Sequence, residues 1–374
     1  MTAVRSIPAH APTTVPLRPR GLRAVGTTIA KRLMLDRQIE FWLGEIRPAW
    51  SIDELKARVI DVIEETHDVK TFVLAPNAAW PGHRAGHYVP VDIEIDGKRV
   101  RRCYSISSAP GSARIAITVK RVDDGRVSTW MHERVQRGDV FPLGAPAGDF
   151  VVAEEMRAKL LLISGGSGVT PVMAILRDLA ARDEVRDVVF VHCARSKRDV
   201  IFARELERLA SEHAGLRVVL RLDDAPSGGL LDDAALRALV PDFAERETFL
   251  CGPEGMMSAV ARSWTDADYA HRLHVERFVA RRVAPRAPGA ETKVHLAMAE
   301  RTVVADGKGT LLEQLERSGE KPAYGCRMGI CNTCRCRKRS GAVEDLVTGA
   351  ISDSPDEDIR LCTSIARSDL ELAL

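Results

Sequence analysis

Long apolar runs are missing from this chain of 374 residues, and no stretch approaches the roughly 20 apolar residues that cross a bilayer as a helix. No secretory signal is recognised ahead of the first domain, so a cytoplasmic location is expected. An excess of one charge is missing too. Lysine and arginine number 54 against 52 aspartate and glutamate, and a net charge of +2 makes no case for nucleic-acid binding. What remains is a soluble composition, 45% hydrophobic and 28% charged, long enough for two or three domains with sizeable cores. A secreted disulfide framework is not indicated either. Of eight cysteines, four fall in one metal-binding pattern, which points to a reducing interior.

That pattern is Cys326-Arg-Met-Gly-Ile-Cys331-Asn-Thr-Cys334, with Cys362 after a long gap. Gaps of four and then two match the plant-type [2Fe–2S] spacing, where one tight loop supplies three thiolates and a distant segment the fourth. Zinc is the rival for four cysteines. Zinc ribbons, however, usually carry two CxxC knuckles, and only one such pair exists here. Gly325, Gly329, Asn332 and Thr333 suit a loop whose backbone N–H groups turn toward sulfur. The spacing selects Cys326, Cys331, Cys334 and Cys362 as ligands and leaves Cys336 as a free thiol. Such a cluster carries one electron at a time and does no bond chemistry, so the upstream residues are read as machinery that feeds it.

Between 51 and 153 the pattern is that of strands: Leu55 to Val62, Val69 to Leu74, Tyr88 to Ile95, Arg99 to Ser105 and Arg114 to Lys120. Turn signals such as Asp96-Gly97 and Pro110-Gly111 separate them, as in an antiparallel β-barrel. One strand ends in Arg102-Cys103-Tyr104-Ser105, and alternation puts Arg102 and Tyr104 on the same face. Downstream lie Lys120 and the segment Gly125-Arg126-Val127-Ser128-Thr129-Trp130.

Between 154 and 280 a short apolar strand, Lys159 to Ser164, runs into Gly165-Gly166-Ser167-Gly168-Val169-Thr170-Pro171, and a helical pattern follows over Val172 to Ala181. Strand, glycine turn and helix in that order form a dinucleotide phosphate site: glycine lets the backbone approach closely, and the helix N-terminus faces the pyrophosphate. Further strand and helix units, ending in a strand at Thr248 to Cys251 before Gly252-Pro253, predict a parallel sheet. His192 reads as a sheet residue without chemistry.

These motifs together resemble the ferredoxin–NADP reductase superfamily, and the order of modules resembles its three-module oxygenase and desaturase reductases. The resemblance implies a multidomain fold: an antiparallel β-barrel FAD domain, an α/β parallel-sheet nucleotide domain and an α+β β-grasp ferredoxin domain at 293–374, after a joint at 281–292. It implies that Arg102 binds flavin phosphate, that Tyr104 packs on the isoalloxazine, and that Ser105 bonds near flavin N5, with Cys103 beside them. Lys120, Gly125, Val127, Ser128 and Thr129 belong to a turn and short helix that receive the pyrophosphate of FAD, and Phe278 closes the flavin site. Gly165, Gly166, Gly168, Val169, Thr170 and Pro171, with Arg195, Ser196, Gly252 and Pro253, are expected to bind NAD(P)H. Cys251 and Glu276, with Ser105, are expected at the reacting nicotinamide and flavin atoms. NADH and NADPH stay open: Arg195, Lys197 and Arg198 favour a 2′-phosphate, whereas Asp223 and Asp224 oppose it.

The resemblance extends to an acceptor. The Pro48-Ala49-Trp50-Ser51 entry, the basic leader and Leu250-Cys251-Gly252-Pro253-Glu254-Gly255-Met256-Met257 look most like reductases that serve membrane fatty-acyl desaturases or related di-iron hydroxylases. A soluble ring or CoA-ester hydroxylase, or a small acceptor reduced without a protein partner, is the alternative. Within the extension 1–50 a helix is expected over Thr28 to Ile46, net basic and amphipathic. Such a stripe packs on the next domain or lies on a membrane surface, the first being the preferred reading. Arg335, Arg337, Lys338 and Arg339 form a basic run past the ligands, equally a solvated face or a docking patch for an acidic partner.

Overall fold

The computed structural model describes residues 54–374 except positions 124, 157, 226–228, 230, 266–268, 279–290, 328, 330 and 348. The helix expected at 28–46 and almost all of the expected joint therefore lie outside the described residues. No described helix is long and apolar enough to cross a membrane.

The first module is built from β1 (Lys56–Thr66), β2 (Val69–Pro76), β3 (Tyr88–Ile95), β4 (Lys98–Ser105), β5 (Ile115–Lys120), α1 (Arg126–Arg134) and β6 (Val140–Pro142). Antiparallel β5-β2-β1-β6 makes one sheet and β3-β4 another. Single bridges, Val91 to Leu143 and Ile106 to Ile117, join the two into a barrel half. Alternating side chains fill it: Val59, Phe72, Leu74, Val89, Val91 and Ile117 are all fully buried.

The second module alternates strand and helix: β7 (Leu160–Gly165), α2 (Val169–Ala181), β8 (Val188–Ala194), α3 (Ala203–Glu212), β9 (Leu216–Leu222), α4 (Asp233–Leu239), β10 (Glu247–Cys251), α5 (Glu254–Thr265) and β11 (Leu273–Glu276). All neighbours in the order β11-β10-β7-β8-β9 are parallel. Every residue of β7 is buried, because separate apolar cores cover the two faces of the sheet. Each wholly buried Leu or Ile of that strand contributes about 1.5–3 kcal/mol. The chain leaves β7 toward β8 on one side and reaches β10 on the other. A doubly wound sheet reverses its strand order at such a point, and the crevice outside the carboxyl ends of the strands is where ligands bind.

The third module has β12 (Thr292–Leu296), β13 (Arg301–Ala305), α6 (Leu311–Arg317), β14 (Arg335–Ser340), β15 (Val343–Asp345), β16 (Ile351–Ser352), β17 (Glu357–Arg360), β18 (Ser364–Ala366) and β19 (Leu370–Leu372). Its main sheet runs β13-β12-β19-β14-β17, with β12 and β19 parallel. Thr310 starts α6 with a full capping box: its hydroxyl accepts from the Glu313 N–H, and Glu313 accepts from the Thr310 N–H.

Candidate functional site

A cleft of about 480 Å³ opens where the three modules meet. The barrel supplies the ends of β4 and β5 and the start of α1, the nucleotide module supplies Ser167, Thr170 and Phe278, and the third module supplies Cys326 and Arg327. Arg102, Cys103, Tyr104 and Ser105 all line it, as do Lys120, Gly125, Val127 and Ser128. In the β3–β4 register Arg102 faces Val91 and Tyr104 faces Val89. Behind them Arg101 grips the buried Asp92 with two bonds of 2.7 Å and fixes the strand. Ser105 is buried, and its Oγ has no hydrogen-bond partner among the described residues, an unmet need at the cleft wall. The Ser128 hydroxyl is already used: it donates to Gly125 O and accepts from the Val122 N–H, so it shapes the turn before α1. Thr129 lies in the first turn of α1, its N–H on Gly125 O. Trp130 packs on the barrel core.

The glycine turn and the turn after β10 stand back to back. A methyl on Gly168 would come 2.3 Å from Cys251 O, and one on Gly165 would come 2.8 Å from Pro253. Gly252 is as confined, with Met256 and the Gly165 backbone against it. Gly166 sits at φ +52°, which glycine adopts without cost. The helix α2 begins at Val169, three residues earlier than its apolar period indicates, so Val169, Thr170 and Pro171 form its first turn. Thr170 closes the turn by donating to Ser167 O at 3.0 Å.

Cys251 is fully buried, and desolvation pushes its thiol well up. Glu276 stands beside it in the parallel register of β10 and β11. The Oε2 of Glu276 is shut off from solvent with no hydrogen-bond partner among the described residues, and burial pushes the carboxyl up to about 8. Neither of these two lines the cleft as Ser105 does. Arg195 and Ser196, past the end of β8, are also away from it and are engaged with acids. Arg195 holds Asp68 at 3.2 Å and Asp199 at 3.0 Å, and Ser196 donates to Asp199.

In the third module the four cysteines of the spaced pattern approach in two pairs. The Cys326 N–H points at Cys331 Sγ (3.1 Å) and the Cys331 N–H at Cys326 Sγ (3.3 Å). Cys334 and Cys362 are the second pair, and their mutual interaction lowers the thiol of Cys334 to about 7 and raises that of Cys362. Gly329 N–H and the Thr333 hydroxyl also point at sulfur, on Cys362 and Cys331 respectively. One tetrahedral zinc would draw four sulfurs to about 3.8 Å of one another. Among the described residues, however, no three cysteine sulfurs gather within 4.8 Å. Two pairs ringed by N–H donors fit a two-iron cluster, each iron taking one pair. The loop is braced from outside by Arg360, which donates to Gly329 O (2.7 Å) and Asp345 (2.8 Å). The thiol of Cys336 faces Arg337 O and Ala373 O, away from this loop.

The basic run divides: Arg335, Arg337 and Arg339 stay on the exposed side of β14 and Lys338 turns inward. Lys338 is wholly buried and donates to Gly341 O and Ser354 O beside Glu357, while Arg335 and Arg337 pair with Asp358 and Arg339 pairs with Glu371. Strand alternation turned the lysine inward. The third module's own cation at the cleft is Arg327, stacked on Tyr324 (4.0 Å to the ring centroid) and bonded twice to Glu316. Sequence reading passed over it as a spacer, although its place right after the first ligand was signal enough.

Three family descriptions match the chain: an oxidoreductase FAD-binding domain at residues 56–152, an oxidoreductase NAD-binding domain at 162–262 and a 2Fe-2S iron-sulfur cluster binding domain at 294–367. The chain is 36% identical to an NADPH oxidoreductase of Mycobacterium tuberculosis over 94% of its own length and 91% of that protein. It is 35% identical to the glycine betaine monooxygenase reductase subunit of Pseudomonas aeruginosa, over 86% of its own length and 95% of that subunit. The solved structure of phthalate dioxygenase reductase shares the fold with a TM-score of 0.62 at 23% identity, covering 86% of this chain and 98% of that one.

Proposed function

Because the chain belongs to the family of oxidoreductases that join FAD-binding, NAD-binding and 2Fe-2S domains in one polypeptide, we propose that it takes a hydride from a reduced nicotinamide coenzyme and passes the electrons singly to an oxygenase. The carrying observation is a cleft walled by residues of all three modules. Bound flavin supplies the conversion of a hydride pair into single electrons, which neither nicotinamide nor a cluster performs.

The residues then take these tasks. Arg102 and the first turn of α1 hold the anionic tail of FAD, and Tyr104 and Phe278 wall its ring. Ser105 Oγ, buried and unpaired, gains its missing partner there. The glycine turn and the α2 N-terminus take the coenzyme pyrophosphate, and Cys251 and Glu276 border the nicotinamide. Cys326 with Cys331 and Cys334 with Cys362 hold the cluster at the cleft's third wall.

For the acceptor, the named relatives weigh on the side of a soluble hydroxylase or monooxygenase rather than a membrane desaturase, since the glycine betaine relative is itself a monooxygenase reductase subunit. The leader that suggested a desaturase lies outside the described residues. The test is anaerobic titration with NADH and NADPH, then capture of partners from soluble and membrane fractions of the native cell. Bleaching of flavin and cluster bands by one coenzyme, with an oxygenase captured from the soluble fraction, is the expected result. A colourless protein would reject the electron-carrier role. Capture of a desaturase from membranes alone would replace the acceptor and leave the rest standing.

A further inference from the structure

The guanidinium of Arg102 does more than face the cleft. Its Nη1 donates to Arg101 O at 2.9 Å and to Gly325 O at 3.0 Å, across 223 positions of sequence. Gly325 is buried and immediately precedes the first cysteine of the cluster loop. It is also wedged against that loop from within, since a methyl there would stand 2.6 Å from Cys331 Sγ and 2.9 Å from Thr333 Oγ1. The peptide between Gly325 and Cys326 is therefore held on one side by Cys331 Sγ and on the other by a barrel side chain. Both hydrogens of Nη1 are spent on carbonyls, and the other three N–H groups of the fork bond nothing among the described residues.

We infer that Arg102 is a positioning residue for transfer between flavin and cluster: one edge of its fork ties the cluster loop to the barrel, while the other edge meets the flavin phosphate. This rests on the reading of the cleft as the flavin site. A hydride brings two electrons, which would cross this seam one at a time. The first reduces the one cluster, which hands it to the external acceptor before taking the second, and the proton left by the reoxidised flavin goes to solvent. Flavin binding orients the guanidinium, and the guanidinium holds the loop. Lysine keeps the charge that a phosphate needs but lacks the planar fork, so it cannot serve both edges at once.

The experiment compares wild type, Arg102→Lys and Arg102→Ala holoprotein, each saturated with FAD and reduced anaerobically by the coenzyme that reduces wild type. Flavin and cluster bleaching are followed separately by stopped flow, and the EPR spectrum of the reduced cluster is recorded. Arg102→Ala is expected to lose both FAD affinity and cluster reduction. Arg102→Lys is expected to regain FAD affinity to within about fivefold, yet to reduce its cluster about tenfold more slowly per bound flavin, with an unchanged EPR spectrum. Cluster reduction in Arg102→Lys within about twofold of wild type would overturn the inference. A wild type whose flavin bleaches while its cluster stays oxidised would instead overturn the reading of the cleft. As a check without substitution, hydrogen exchange of the 326–334 loop in wild type should slow when FAD is added, and no change on addition would count against the tie.

Discussion

The glycine turn of the nucleotide module and the cysteine loop of the cluster module are held in opposite ways. In the first, β7 is buried along its whole length between two apolar cores, and its turn is shaped by backbone contact with its neighbour. In the second, β14 alternates exposed and buried residues, and the loop between Gly325 and Cys334 is held by N–H groups aimed at sulfur and by arginines reaching in from outside. Both modules have apolar cores, and the glycine turn is set by that packing. The cysteine loop keeps its shape around a group that the thiols must hold, so the two modules should respond differently to loss of that group.

The largest expected difference follows from stripping iron and sulfide. Ligands that converge only in the folded state make binding energy into folding energy. Chelation should melt the cluster module as a separate, earlier transition in calorimetry and leave the nucleotide module's transition in place. A single unshifted transition would break the comparison. Next comes Gly168→Ala, whose added methyl has only the Cys251 and Gly252 backbone to push against. It should cost about 3 kcal/mol by denaturant unfolding, and the loss should fall on the nucleotide module.

Glu276 sharpens the contrast through pH. Its carboxyl lies near 8 in the folded protein against an ordinary value of 4.5, because burial disfavours the anion. The unfolded chain therefore releases this proton first. The stability that neutral Glu276 leaves intact below pH 4.5 is lost as pH rises through about 8. Glu276→Gln should remove that slope, so melting curves of variant and wild type agree near pH 4.5 and separate by a few kcal/mol at pH 9. Parallel curves across that range would show that the carboxyl is not sealed. The smallest effect is expected from Thr310→Ala. It removes one hydroxyl of a capping box and should cost about 1 kcal/mol, seen in the cluster module's transition alone.

Much of this architecture was legible because patterning and packing agree. The barrel strands observed at Tyr88–Ile95 and Val69–Pro76 sit where apolar alternation places them, and α6 starts at the threonine that its capping signal marks. What local pattern hid was contact across long separations. The first turn of α2 carries no helical period of its own, since Val169 and Thr170 are buried by the sheet's end. The run from Arg335 to Arg339 looks like a surface in one dimension, but a strand turns Lys338 into the core to satisfy two carbonyls. At the cleft, the residues of Arg102 to Ser105 share a short motif, whereas the approach of Arg327 and Gly325 to that motif exists only after three modules fold together.

The central claim is that electrons enter in pairs and leave singly through the sulfur-bound iron. It is tested most directly by Cys331→Ser, followed in one instrument by anaerobic flavin reduction and by steady cytochrome c reduction. The account predicts that the coenzyme still bleaches the flavin of the variant at close to the wild-type rate, while delivery to cytochrome c falls by about a hundredfold or more. Undiminished cytochrome c reduction in a variant shown by EPR to lack its cluster would contradict it.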